Sequence, residues 1–502
     1  MVTAIDADLL ALQEMRTAVQ TAKEAQLAYM SFTQEQVDRI VKAVADAAYE
    51  QSARLGKMAV EETGMGVAAH KTIKNEVGSR DVYESIKDLK TVGVVGEDKV
   101  KKVVEIAAPF GVVAAIIPTT NPTSTAYFKT LIALKTRNAI VVSPHPYAVQ
   151  CTHEALKVCD AAAVAAGAPK GLIQCLTMAS MGATQQLMTH PDVNLILATG
   201  GSALVKAAYS SGKPAYGVGP GNVPVYIERS ANIVKAVKDI IDSKSFDYGT
   251  ICATEQAMVV DRNVVELVNR ELKKNGAYIL SDEEKRIMEK VVSPIPGKVN
   301  PKIVGKSPQF IAQLAGITIP EGTRVIIGME TKVGKDIPFS LEKLSPVFAM
   351  YVASDVNHAK ELCLSLLNLG GRGHSLSIHT ETDAIAREFA IDMPVSRILV
   401  NTMSSVGAVG GTTGLMPSMT LGCGSFGGNI TSDNVTAKHL LNIKRMAYGV
   451  KDVQLPQHTA DTNEDVTQQV VSQVLKSMDS SDAINPDMVK DLVNEIVKKL
   501  SN

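Results

Sequence analysis

The stretch GVVAAIIPTTNPTSTAYFKTLIALKTRNAIVVSP, residues 111–144, sets the architecture. It opens on an apolar run of Val, Ala and Ile closed by Pro118, the pattern of a strand buried on both faces. TSTAYFKTLIALKTR (123–137) reads as a helix, and NAIVVSP (138–144) as a second buried strand. Strand, helix and strand in that order predict a parallel pair joined by a crossover.

The same rhythm continues outward. YAVQCTHEALKVCDAAAVAAGAPKG is a helix ended by Gly and Pro, LIQCL (172–176) a strand, TQQLMTHP a short helix. VNLILATGG (193–201) is a strand with a tight turn, and SALVKAAYSSG a helix. The fold class is therefore α/β, with a doubly wound parallel sheet. Ligands on such sheets bind beyond the carboxyl ends of the strands. The turns there are IPTTNPT (117–123, with Thr119), VVSPHP (141–146, with Ser143, Pro144 and His145) and ATGGS (198–202, with Thr199, Gly200 and Gly201). Gly200-Gly201 lets backbone approach a phosphate at a helix N-terminus, or is a plain strand-to-helix turn; the full G-x-G-x-x-G fingerprint is missing.

Before this region, residues 7–62 read as two amphipathic helices, with Thr33 and Gln36 spaced as a capping box. TVGVVGEDKVKKVVEIAAPFG (91–111) reads as a hairpin. After it, a second α/β region runs from about 230 to about 430, with strands RVIIGM, PVFAMYVAS and RILVNT and the helix VNHAKELCLSLLNLGG. Residues 404–430 are too rich in Gly and Ser for regular structure, and a long loop of that kind is functional or disordered. From about 455 the chain is polar and linker-like. It ends in two apolar stripes at helical spacing: Val466, Val470, Val471, Val474, Leu475 and Met478, then Met488, Val489, Leu492, Val493, Ile496, Val497 and Leu500. Asn485 or Asp487 is placed to cap the second.

Composition narrows the function. The chain has 502 residues, so two or three domains are expected. A net charge of -1, no Trp and 4% aromatics give no footprint for nucleic acid. No apolar run spans a membrane, and Asp6 and Asp8 stand where a secretory signal carries positive charge, so a cytoplasmic protein is expected. Six cysteines are too few for a disulfide framework. Cys151, His153 and Cys159 share one helix with no second cluster nearby, which reads as helix-face side chains; no metal is expected.

The chemistry centres on FDYGTICATEQ (246–256), which places one thiol, Cys252, at a helix-to-strand junction. Alone, such a cysteine is a small core residue more often than a nucleophile. Its companions change that reading. FTQEQVDRIVKA, IPTTNPTSTAYFKTLIALKTRNAIVVSPHP, HPDVNLILATGGSALVKAAYSSGKPAYGVGPGNVPVYI, FDYGTICATEQ, EKLSPVFAMY, GGRGHS and PSMTLGCGSFGGN cover most of residues 1–450. In that order they resemble the aldehyde dehydrogenase superfamily, in its coenzyme-A-acylating branch. They are most similar to the aldehyde dehydrogenase half of bifunctional aldehyde-alcohol dehydrogenases and to the aldehyde dehydrogenases of bacterial microcompartments.

The resemblance implies two Rossmann-type α/β domains, a small β oligomerisation element and a helical tail. The expected divisions are 1–229 for the dinucleotide and CoA domain with the 91–110 hairpin inserted, 230–434 for the catalytic domain, 435–454 for a return to the first, and 455–502 for linker and tail. It implies Cys252 as nucleophile, Asn121 as oxyanion donor beside the Cys252 backbone N–H, and His374 of GRGHS as a proton relay. It implies Glu342 of EKLSPV at the nicotinamide ribose, and NAD as cofactor. Hydrolytic relatives carry a Glu base in E-L-G-G-K; here the matching segment is GVGPGN (217–222, with Gly217, Val218 and Gly219), without a carboxylate. Without a base for water the thioester should wait for a thiol, which makes coenzyme A the acceptor of a small acyl group such as propionyl or acetyl. The acidic residue that would favour NAD over NADP is absent from the Ser143-Pro144-His145-Pro146 turn.

A homodimer or homotetramer is expected. The tail carries eight acidic residues against four lysines, a net -4. It resembles the encapsulation peptides that address enzymes to a microcompartment shell; docking on the enzyme itself is the plainer alternative. Membrane and nucleic-acid partners are not expected. Two rival functions stay open: a non-catalytic assembly protein that keeps the fold, and a hydrolytic aldehyde dehydrogenase.

Overall fold

The structure, a computed structural model, describes residues 6–455, 463–477 and 485–500. In chain order the strands are β1 (Gly93–Asp98), β2 (Val103–Pro109), β3 (Val112–Ile116), β4 (Ala139–Ser143) and β5 (Ile173–Cys175). There follow β6 (Val193–Thr199), β7 (Ala215–Val218), β8 (Val223–Ile227), β9 (Glu255–Asp261) and β10 (Ala277–Ile279). The last are β11 (Val325–Met329), β12 (Val347–Ala353), β13 (Gly373–His379), β14 (Val395–Val400) and β15 (Leu441–Ala447). They form a five-stranded parallel sheet, β5-β4-β3-β6-β7, and a seven-stranded parallel sheet, β10-β11-β12-β9-β8-β13-β14. A three-stranded sheet, β1-β2-β15, joins the 91–111 hairpin to the chain's return. The doubly wound α/β class is observed.

Helix Pro122–Lys135 explains why the 111–144 stretch organises the first sheet. All fourteen of its residues are buried, because the helix is enclosed between β4 and the helices 34–50 and 149–165. A helix without a polar face belongs in a core. Tyr127, Phe128, Leu131 and Leu134 are fully buried here, each worth about 1.5–3 kcal/mol of removed apolar surface. Pro122 occupies the first turn, where its missing N–H costs nothing.

Two expectations shift. Residues 7–62 form three helices, Ala7–Tyr29, Gln34–Glu50 and Ser52–Thr63, rather than two. The break is at Gln51 (φ -92, ψ 4), and it turns the third helix onto helix Ala68–Glu76. A Cβ at Gly56 would lie 2.9 Å from the Thr72 backbone N, so that contact needs glycine. The Thr33–Gln36 capping box forms, with Gln36 N donating to Thr33 Oγ1 at 3.3 Å and Thr33 N to Gln36 Oε1 at 2.8 Å. The second shift is the sheet boundary: β8 pairs with β9 and β13, so the seven-stranded sheet begins at Val223 rather than after 229. The PVYI run extends β8 in that sheet because β7 is already an edge of the first.

The chain divides into two compact units, 1–97 with 104–446, and 98–103 with 447–502. In the second, helices Asn463–Ser477 and Pro486–Leu500 contact each other, and Asn485 Oδ1 accepts from Asp487 N at 3.0 Å as the cap. Met478 of the expected first stripe, and the 456–462 linker, lie outside the described residues. Among the described residues no helix is long and apolar enough to cross a membrane.

Candidate active site

The carboxyl edge of the five-stranded sheet meets the amino edge of the seven-stranded sheet at Cys252. Asn121 follows β3, Thr199 ends β6 and Val218 ends β7. Cys252 precedes β9, Gly221 precedes β8, Glu342 precedes β12 and His374 lies at the start of β13.

The Cys252 turn is strained. Asp247, Tyr248 and Gly249 all have positive φ, at 49, 50 and 74. For the two non-glycine residues this costs about 1–2 kcal/mol each. The strain is held by Asp247, whose side chain is fully buried. Its Oδ1 accepts from Val67 N at 2.7 Å. Its Oδ2 accepts from Lys71 Nζ at 2.9 Å, from Thr250 Oγ1 at 2.7 Å and from Lys74 Nζ. Burial would raise this carboxyl, but Lys74 and Lys71 outweigh it and hold it down at about 2.

Asn121 reaches the same turn from the opposite sheet. Its Nδ2 donates to the Thr250 carbonyl at 3.3 Å and to Thr120 Oγ1 at 3.1 Å, while its Oδ1 accepts from Lys74 Nζ at 2.7 Å. Gly221 joins the remaining groups. A Cβ there would fall 2.4 Å from the Cys252 carbonyl oxygen and 3.0 Å from the His374 ring. Gly221 N donates to Glu342 Oε1 at 3.0 Å. Only glycine lets these three elements close on one point.

Cys252 and Cys175 are half-buried, whereas Cys151, Cys159, Cys363 and Cys423 are buried. The Cys252 thiol is pushed up to about 12, by burial first and then by the Glu342 carboxylate, against the pull of Arg397. Glu342 itself is raised to about 8 by burial. His374 is lowered to about 3 by burial and by Arg397, so it is neutral at ordinary pH. Its Nδ1 sits 3.1 Å from Ser375 Oγ; its Nε2 is buried without a hydrogen-bond partner. An imidazole nitrogen left open in this way is available to a reacting molecule.

Arg397 has no part in the sequence reading, yet it fixes the floor of the site. Its Nη2 donates to the carbonyls of His374 (2.9 Å) and Gly422 (2.7 Å), and its Nη1 to that of Ser432 (3.1 Å). This fastens the Gly-rich 404–430 loop to β13. Within that loop only helix Ser404–Ala408 and a single turn at Ser425–Gly427 are regular. Glu255, the carboxylate closest in sequence to Cys252, points away from the reaction centre: its Oε1 accepts from Ser404 N at 3.0 Å, anchoring that helix.

The candidate cofactor contacts separate into two groups. A Cβ at Gly201 or Gly219 would meet nothing within 4 Å; Gly201 caps helix Ser202–Tyr209 at the end of β6. β3 and β6 are where the strand order reverses, the switch point at which a dinucleotide phosphate binds. The open backbone at Gly201 fits that group. Gly217 is used otherwise. A Cβ there would lie 2.8 Å from Val205 Cγ1 and 2.9 Å from the Tyr209 ring, and Gly217 N donates to Tyr209 Oη at 3.0 Å. Val218 is buried, and its carbonyl accepts from Gly200 N at 3.4 Å. Ser143 Oγ is 2.8 Å from Thr184 Oγ1, and His145 Nδ1 accepts from Tyr147 N at 3.2 Å. Thr119 is buried, and Thr199 Oγ1 lies 3.3 Å from Thr420 Oγ1.

Comparison with known proteins identifies the family. Residues 5–289 match the model of the aldehyde dehydrogenase family. The bifunctional aldehyde-alcohol dehydrogenase of Escherichia coli (strain K12) is 48% identical over 439 residues, covering 86% of this chain and 49% of that protein. The chain thus spans about half the length of such bifunctional relatives. The crystal structure of an acetylating aldehyde dehydrogenase from Geobacillus thermoglucosidasius superposes with a TM-score of 0.89 at 54% identity, over 90% of this chain and 100% of that one. A propionaldehyde dehydrogenase from the fucose utilisation bacterial microcompartment of Clostridium phytofermentans superposes with a TM-score of 0.80 at 28% identity, over 87% and 97%. With a Cys-bearing turn, an asparagine and a neutral histidine converging between two parallel sheets, this chain belongs to the aldehyde dehydrogenase family, among its acylating members.

Proposed function

We propose that the protein converts a small aldehyde, coenzyme A and NAD+ into the acyl-CoA, NADH and a proton. The observation that carries this reading is Gly217. It stands where the E-L-G-G-K stretch of hydrolytic relatives carries its Glu base, and a Cβ there would lie 2.8 Å from Val205 Cγ1 and 2.9 Å from the Tyr209 ring, leaving no space for a carboxylate.

Cys252 Sγ bonds to the aldehyde carbon, and the carbonyl electron pair becomes an oxyanion. Asn121 Nδ2 and the Cys252 backbone N–H stabilise that charge. Bound NAD supplies the hydride acceptor. Loss of hydride from the same carbon leaves a thioester on Cys252. The sulfur of coenzyme A then bonds to that carbon, and the Cys252 sulfur leaves. His374, neutral and open at Nε2, takes the proton of the incoming thiol and returns it. The high thiol pKa of Cys252 makes proton removal part of the first step as well, and Glu342 is the carboxylate beside it.

Two further parts of the reading concern partners. The three-stranded sheet buries only Ala107 along β1, β2 and β15. A sheet so thinly covered needs a second surface, which supports a homodimer or homotetramer built on it. The helix pair 463–477 and 486–500 exposes Met488, Leu492 and Ile496 at 74%, 62% and 49%. That exposed apolar stripe supports the tail as a docking element for a microcompartment shell partner. Deleting 456–502 should then abolish co-purification with shell proteins and leave turnover unchanged.

The catalytic reading is tested by NADH formation from propanal and NAD+, with and without CoA. Steady turnover should require both CoA and Cys252. Steady NADH without CoA would make water the acceptor and restore the hydrolytic alternative.

A further inference from the structure

Asn121 stands at the N-cap of helix 122–135 yet makes no capping hydrogen bond. Asparagine is among the best N-caps, so the helix forgoes a stabilising bond here. Its side chain is held by another group. A lysine ammonium only donates, so Lys74 Nζ, at 2.7 Å, must face Oδ1. That contact dictates which end of the carboxamide is nitrogen, and it turns Nδ2 toward the Cys252 turn, where it meets the Thr250 carbonyl.

The supports of Lys74 lie in the two loops that form the site. Lys74 Nζ also donates to Thr250 Oγ1 at 3.0 Å and to the Asp247 carboxylate. Beside it, Lys71 Nζ donates to the Thr120 carbonyl and to Asp247, both at 2.9 Å. Lys71, Lys74 and Asp247 are 2%, 3% and 0% exposed. Two cations and one anion leave a net charge of +1 in this buried cluster. A buried excess charge is a cost to folding. Here it lies behind the amide that faces the developing oxyanion.

We propose that Lys74 is a positioning residue of the oxyanion site: it fixes the Asn121 carboxamide with Nδ2 toward Cys252 and lends that amide positive charge. The proposal rests on reading Asn121 as the oxyanion donor. It does not require hydride transfer or CoA, which makes it separable from the overall reaction.

The test uses the full-length protein and two measurements. Alkylation of Cys252 by iodoacetamide forms no oxyanion and reports the thiol alone. Protection from alkylation by propanal, without NAD, reports thiohemiacetal affinity. In Lys74→Met, Asp247 keeps Lys71, Thr250 and Val67 as partners. The unprotected alkylation rate should stay within about threefold of wild type, while the propanal needed for half-protection rises about 100-fold, the lower end of what loss of an oxyanion donor costs. Lys74→Gln, which still donates a neutral hydrogen bond, should recover about half of that loss on a logarithmic scale. With NAD and CoA added, Lys74→Met should lower kcat with little change in KM for NAD, and Asn121→Ala in the Lys74→Met background should cost little more. Unchanged protection in Lys74→Met overturns the proposal, as does equal loss of alkylation and protection. So does a wild type that propanal fails to protect. A wild type that is protected but makes no NADH leaves Lys74 its role and overturns the acylating reading instead.

Discussion

The two sheet edges that meet at Cys252 are built from different material. The carboxyl edge of the five-stranded sheet offers open backbone at Gly201 and hydroxyls at Ser143 and Thr199. Apart from Lys129, whose ammonium donates to the carbonyls of Ile116 and Leu197 at 2.8 Å, it places little charge there. The amino edge of the seven-stranded sheet is dense with ionisable groups: His374 and Arg397, buried, and Cys252 and Glu342, half-buried. Binding a dinucleotide needs approach and N–H donors, which glycine turns provide cheaply. Moving protons and electrons needs groups whose pKa values have been displaced, and displacement needs burial.

The contrast breaks if the two edges respond alike to substitution. Cys252→Ala should abolish NADH formation, a loss on the order of 10⁴-fold or more, while NAD still binds with unchanged affinity by fluorescence titration. Asn121→Ala follows, with kcat down about 10²–10³-fold in stopped-flow hydride transfer.

Glu342→Gln sharpens the picture through pH. The wild-type carboxyl is mostly neutral below about 8 and ionised above it. Its ionisation opposes that of Cys252. Alkylation rates of wild type and Glu342→Gln should therefore agree at pH 7, and the variant should be about tenfold faster at pH 9, the equivalent of one pKa unit.

On the binding edge the effects are smaller. Gly201→Val should raise KM for NAD several-fold and leave the melting temperature in place, because its Cβ enters open space. Gly217→Ala should do the reverse, lowering stability by about 1–3 kcal/mol through contact with Val205 and Tyr209. The smallest effect is a change of stability with pH, set by the titration of Lys74. Burial lowers it to about 8, against the pull of Asp247, with Lys71, His70 and Cys252 as its other charged or titratable neighbours. Between about pH 8 and 10.5 the unfolded chain binds the extra proton, so wild-type stability rises with pH in that window. The melting temperature of wild type should gain on that of Lys74→Met by a few degrees from pH 8 to 10.

The β-α-β frame was legible in residues 111–144 because apolar runs of strand length alternate with helical ones. The Cys252 turn, Asn121, Gly201 and His374 were legible as motif positions, although the orphaned Nε2 of His374 was not. Gly217 reads in sequence as one more binding glycine; its contact with Tyr209 exists only once the eight-residue helix 202–209 packs back against β7, and neither spacing nor motif gives that packing. Lys71, Lys74 and Asp247 left no trace. Lysines at i and i+3 on a polar helix read as a solvated face, and an aspartate before Tyr-Gly reads as turn chemistry. Their pairing spans more than 170 positions of sequence. Arg397 is hidden for the same reason: inside a strand pattern, its carbonyl partners are fixed only by the loop that returns to it.

The measurement that tests the central claim most directly is the intact mass of the protein mixed with propanal and NAD+ in the absence of CoA. One propionyl group should appear on Cys252, at the rate of the NADH burst. It should persist against water and leave as propionyl-CoA when CoA is added. An unmodified mass after the burst, with free propionate in solution, would contradict the claim that this site holds its thioester for a thiol.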